Sequence, residues 1–146
     1  MLAEFESVLE AAVVRGAIAR LGLVPSGDTD HALVGAVYAF LSESAVGYDR
    51  FFFDWYGGLQ REARATTGES KEHYSGSRWE GLRCILELYE PALQSLPVHF
   101  EAERPCTLLI DEIESVWSAI AGRDDWGPFE ETIRAIGAFG SAVASR

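Results

Sequence analysis

Apolar residues recur at steps of three and four along most of this chain, the spacing of one helix face. Leu2, Phe5, Leu9, Val13 and Ala17 predict a helix over 2–21 with that face inward, stopped by Gly22 and Pro25. Asp28, Thr29 and Asp30 are helix-capping types, and Leu33, Val37, Phe40 and Leu41 share a stripe that carries a second helix to about Ser44. From Tyr48 to Tyr56, Phe51, Phe52 and Trp55 lie on one face and Phe53 and Tyr56 towards the other. A helix there is apolar most of the way round and has to be covered on both sides.

The stretch from Gln60 to Ser77 is polar and glycine-containing, a loop with at most one more helical turn. Trp79, Leu82, Ile85, Leu86, Tyr89 and Leu93 return to helical spacing, with Ser77 as cap and Pro97 beyond the end. After an irregular link over 95–105 comes the stripe Leu108, Leu109, Ile113, Val116, Trp117 and Ile120, with Thr107 as cap and Gly122 as stop. Asp124 or Asp125 then caps a last helix bearing Phe129, Ile133, Ile136 and Phe139, before a tail of small residues. No segment alternates as a strand does, and no solenoid repeat occurs. The expected fold is all-α: a single compact domain over 1–146, about six helices around an aromatic-rich core.

With 146 residues, 48% hydrophobic, the chain can bury one core and has little left for a second comparable domain. Its formal charge of -11 disfavours nucleic acid and anionic membrane surfaces, both of which need clustered cations. Glu4 and Glu6 stand where a signal peptide needs positive charge, and the longest apolar stretch, 32–41, is far too short for a membrane span. Two cysteines, Cys84 and Cys106, make no disulfide framework, so the reduced cytoplasm is the simplest compartment. Cys84 sits in an apolar stripe and reads as core.

Little catalytic chemistry is legible. Neither glycine-rich phosphate motif occurs, and the chain contains no asparagine, so a metal-chelating Asn–Asp pair of the kinase type cannot be assembled. No cofactor or metal is therefore expected. Asp28 with His31 and Glu69 with His73 are single pairs, more simply solvated than ligating. Asp111, Glu112 and Glu114, with His99, could supply a general acid and base if buried together, although carboxylates near a helix start are favoured there by the macrodipole anyway. A cysteine nucleophile would need a histidine, and only His99 lies near Cys106 in sequence. The block Phe51, Phe52, Phe53, Asp54, Trp55, Tyr56 is either plain core or an interface patch covered by a partner. Asp54, set among rings, should reach a partner arginine or point to water.

Several of these residues also carry a family likeness. Leu21, Gly22 and Leu23 ending a helix, Asp30 and Leu33 opening the next, Phe40 and Leu41, then Tyr48 to Phe52 resemble the C-terminal helical region of the selenoprotein O family of kinase-like protein adenylyltransferases. Pro105 to Glu114, with Trp117 and Asp124, Asp125 and Trp126, is similar to the chain end of bacterial members. The resemblance implies ATP-dependent transfer of AMP to protein hydroxyls by a kinase-like domain, with metal-binding residues upstream of the part seen here. Because Met1 already falls inside the C-terminal region, no catalytic residue of the family has a position in this sequence, and the domain alone is expected not to adenylylate.

The leading expectation is a non-catalytic helical domain acting through a protein partner or through self-association by the segment Phe51–Tyr56. A small enzyme or ligand-binding bundle using Asp111, Glu112, Glu114 and His99 is the rival. An acidic regulator that binds a basic partner through net charge is the third reading.

Overall fold

In the computed structural model, backbone is described for residues 2–144 and side chains for 5–141. Among those residues the chain is all-α, with seven α-helices and one isolated β-bridge between Leu23 and Pro91. Contacts gather into two compact units, Met1–Ser95 and Leu96–Arg146. The first holds α1 (Leu2–Arg20), α2 (Asp30–Glu43), α3 (Tyr48–Asp54), α4 (Glu62–Ala65) and α5 (Gly76–Leu86). The second holds α6 (Ile110–Arg123) and α7 (Gly127–Ala144). No helix among the described residues is long and apolar enough to cross a membrane.

Among its described side chains, helix α1 keeps only Ala17 of the expected inward face. Its C-terminal half buries Val14, Ala17 and Ile18, and Leu21 continues that line, whereas Phe5, Leu9 and Val13 are exposed, Phe5 by 65%. The side chain of Leu2 lies outside the described residues. Valine, alanine and leucine occupy several sides of this helix, so spacing alone admits two neighbouring faces, and packing on α2 selects the second.

The segment after α1 is held by backbone. Gly57 N–H donates to Leu21 O at 2.7 Å, Ala92 N–H to Gly22 O at 2.8 Å and Val24 N–H to Glu90 O at 2.9 Å. Gly22 has φ +63°, and a Cβ there would lie 2.7 Å from the Tyr56 ring. Glycine is required both by that backbone conformation and by the ring against it.

Helix α2 is anchored by Asp30, its first residue. The carboxylate accepts N–H bonds from Ser26 (2.9 Å) and Gly27 (3.1 Å) and the Tyr89 hydroxyl at 2.9 Å. It closes the turn before the helix and ties it to the far end of the unit. Burial pushes the Asp30 carboxyl up, but the bonds from Ser26, Tyr89 and Gly27 outweigh it and hold it below the usual range. Leu33, Val34, Val37 and Phe40 then face inward.

The polar stretch over 60–77 folds into short helical pieces, 3-10 turns at Gly58–Arg61 and Lys71–His73 flanking α4, and delivers Tyr74 to the core. Helix α5 is shorter than its stripe: it ends at Leu86, not near Leu93. Pro91 has no N–H for a helix and disfavours helical backbone at Glu90, so the chain leaves the helix early and pairs Pro91 with Leu23.

In the second unit, Leu109 rather than Thr107 is the N-cap of α6. The Glu112 carboxylate reaches back to accept the Leu109 N–H at 3.1 Å and the Thr107 hydroxyl at 2.9 Å. Gly122 stays inside the helix, and Asp124, with φ +53°, ends it. Asp125 then accepts the Gly127 N–H at 3.0 Å as α7 begins.

Candidate functional site

The aromatic block lies in the interior of the first unit. Phe51, Phe52, Phe53, Asp54, Trp55 and Tyr56 are each at most 3% exposed, so they offer a partner no surface. Phe51 packs on Phe40 with ring centroids 5.6 Å apart, and Trp55 meets Trp79 at 4.3 Å and the edge of Tyr74 at 5.2 Å. The arginine that Asp54 needs comes from its own helix: Arg50 Nε donates at 2.9 Å, four residues away, and the Tyr74 hydroxyl donates to the same oxygen at 2.8 Å. Burial, and then the Asp54 charge, push the Tyr74 hydroxyl far above its ordinary pKa, so it remains a donor.

The polar residues considered for catalysis sit in unlike surroundings. His99 is buried, edge-on to Phe100 and Phe139 at 5.0 Å each, and desolvation holds its pKa below the ordinary value. Asp111, Glu112 and Glu114 are exposed, and Glu112 is engaged in capping α6. Carboxylates open to water and a ring-packed neutral imidazole lack the shared burial that general acid–base work requires. Among the described residues, no three His, Cys, Asp or Glu side chains gather closely enough to hold a metal ion. The pairs weighed as ligands are otherwise occupied: His31 faces Glu10 at 3.4 Å, and Glu69 faces Arg50 at 3.3 Å.

Cys84, expected in the core, is exposed, because the buried line of α5 runs Trp79, Leu82 and Leu86 and turns position 84 outward. Burial, then the neighbouring Glu112 charge, raise the Cys106 thiol pKa, which makes it a poorer nucleophile.

One concavity in the second unit stands apart from these. Helices α6 and α7 pack side by side and, with the irregular chain at 105–108, line a cleft of about 660 Å³. Its walls are Ile113, Val116, Trp117 and Ile120 from α6, and Phe129, Ile133 and Ile136 from α7, with Trp126 at the turn between them. Trp117 is 67% exposed, Ile113 52% and Ile133 51%. Trp126 is fixed by Nε1 donating to Asp124 at 3.0 Å and by an edge-on ring contact with Phe129 at 5.9 Å. The charged side chains lining the cleft are Glu112 and Glu131.

Periodicity places the α6 and α7 wall residues on their stripes but does not say what the stripes face, and Trp126, at the turn, lies on neither stripe. The missed signal is arithmetical: a unit with only two long helices cannot bury two full apolar stripes, and Ala119 is the one fully buried residue on α6. Ile113, Trp117, Trp126 and Ile133, each at least half exposed, leave an apolar groove open to water, the kind of surface that binding sites use.

Comparison with known proteins adds one finding. The family model described as protein adenylyltransferase SelO matches residues 1–137, most of the chain. Neither a curated protein nor a solved structure matches it.

Proposed function

The chain belongs to the protein adenylyltransferase SelO family, and from that premise we propose that it serves as a non-catalytic helical domain of this AMP-transferring family, working by holding a protein partner in the α6–α7 cleft. The observation that carries the reading is the exposure of one continuous apolar wall, Ile113, Trp117, Trp126 and Ile133 above all, which the described residues of the unit leave uncovered. Burying such a wall against a partner removes apolar area from water at about 25 cal/mol per Å². The chemistry nearby supports contact over transfer, because the carboxylates that could take a proton or a metal stand apart in solvent.

The test uses the whole chain with ATP labelled on its α-phosphate, magnesium and an acceptor protein. No label is expected on the chain or the acceptor. Incorporation of labelled AMP would overturn the non-catalytic reading.

A further inference from the structure

We propose that the occupant of the α6–α7 cleft is a basic amphipathic helix of a partner protein. This rests on the protein-contact reading above and names the partner's chemistry.

Shape comes first. Both walls of the cleft are helices, so the element that fills the groove between them most completely is a third helix, its side-chain ridges set into theirs. The 14 residues of α6 span roughly 21 Å, enough for about four turns of a bound helix presenting anchors at i, i+3 or i+4, and i+7. Among the described residues there is no β-strand whose edge could accept an extended peptide instead.

Charge then selects among helices. The two charged side chains lining the cleft, Glu112 and Glu131, are both carboxylates. From Leu96 to Arg146 the sequence carries nine Asp and Glu against four Arg and no Lys, a net charge of -5 with His neutral. A second copy would bring the same charge to the same face, and an anionic membrane would do likewise, so like charges meet in both cases. A helix with leucines on one side and lysines or arginines along its flanks covers the apolar walls and meets the carboxylates with opposite charge.

The molecule carries its own reporter. Trp117 and Trp126 are exposed at the cleft, while Trp55 and Trp79 are buried in the first unit and give a constant background. The full chain is titrated with an 18-residue amphipathic leucine–lysine peptide and with its leucine–glutamate counterpart. Tryptophan emission is followed at low and high salt, and the mass of the free chain is measured by light scattering.

The leucine–lysine peptide is expected to shift the emission to the blue and to bind at least tenfold more tightly than the leucine–glutamate peptide, more weakly at high salt. Ile133→Gln, at a half-exposed site where folding is not at stake, should weaken it at least tenfold, and Glu131→Gln should weaken it and reduce its salt dependence. Equal binding of the two peptides overturns the basic partner and leaves the protein-contact reading standing. Binding that Ile133→Gln leaves unchanged shows charge attraction away from the cleft and also overturns it. A dimer that Ile133→Gln converts to monomer makes a second copy the occupant, against this proposal and in favour of protein contact. A monomer that binds neither peptide defeats both.

Discussion

Two apolar stripes of this chain, alike in spacing, have opposite fates. In the first unit Phe51, Trp55, Trp79 and Leu82 meet one another, with Phe40 and Tyr74 closing the cluster from α2 and from the loop after α4. In the second unit Ile113, Trp117, Ile133 and Ile136 meet water. The difference is the number of elements available. Five helices and the backbone segment 21–24 surround the first set, so a helix apolar on nearly all sides finds cover on all of them. The second unit has two long helices and the short 3-10 turn Val98–Glu101 packed on α7, too few elements to cover both stripes. A tryptophan's contribution therefore depends on how many neighbours the topology brings to it, and the two units should answer the same substitution differently.

The largest effect is expected for Trp55→Ala. The ring is fully buried against Tyr74 and Trp79, and its loss should cost about 3–5 kcal/mol, enough to unfold the first unit in much milder urea. Retention of near-native stability would mean that the cluster is loosely packed and the contrast between the units is overstated. Next comes Asp54→Ala, which strips Arg50 and Tyr74 of their shared acceptor and should cost about 2–3 kcal/mol. Asp54→Asn, which retains one acceptor oxygen, should recover part of that in the same urea titration.

Gly22→Ala probes the same core through the backbone. A left-handed φ together with a Cβ 2.7 Å from the Tyr56 ring should cost about 1–3 kcal/mol, read as a lower melting temperature. Only part of this constraint is visible in the sequence. Gly22 could be read there as a helix stop, which it is, but its clash with Tyr56 depends on a contact across 34 positions. The same limit explains the other departures. Helix spacing located α2 and α3 well because their inward residues are strongly apolar, whereas α1 has two plausible faces and needed α2 to choose between them. Helix α5 ends short of its stripe because Tyr89 and Leu93 keep the period while Pro91 breaks the backbone. For the site, the wall residues were legible and their exposure was not, since exposure is set by how many other helices arrive. Asp30 could be read as a cap, but not its bond to Tyr89, 59 residues away.

That bond gives a pH prediction. The folded state holds Asp30 below its ordinary pKa, so it binds its proton less readily than the unfolded chain does. Its contribution is then fully present above the unfolded value, about 3.9, and is lost as pH falls through the folded value. Stability of the wild-type chain should drop below about pH 4, and Asp30→Asn should flatten that drop while lowering stability at neutral pH. If Asp30→Asn leaves the acid limb as steep as before, other carboxylates govern it.

The smallest expected effect is also the sharpest contrast with Trp55. Trp117→Ala removes a side chain of the same type, but one that is 67% exposed, and stability should change by no more than about 0.5 kcal/mol. The exposed ring already lies largely in water, so deleting it leaves no cavity and little lost packing. If Trp117→Ala instead destabilises the chain by several kcal/mol, the cleft is covered in solution by the chain itself or by a second copy, and light scattering separates the two. If stability is unmoved while the leucine–lysine peptide no longer binds, the ring contributes to association and not to folding.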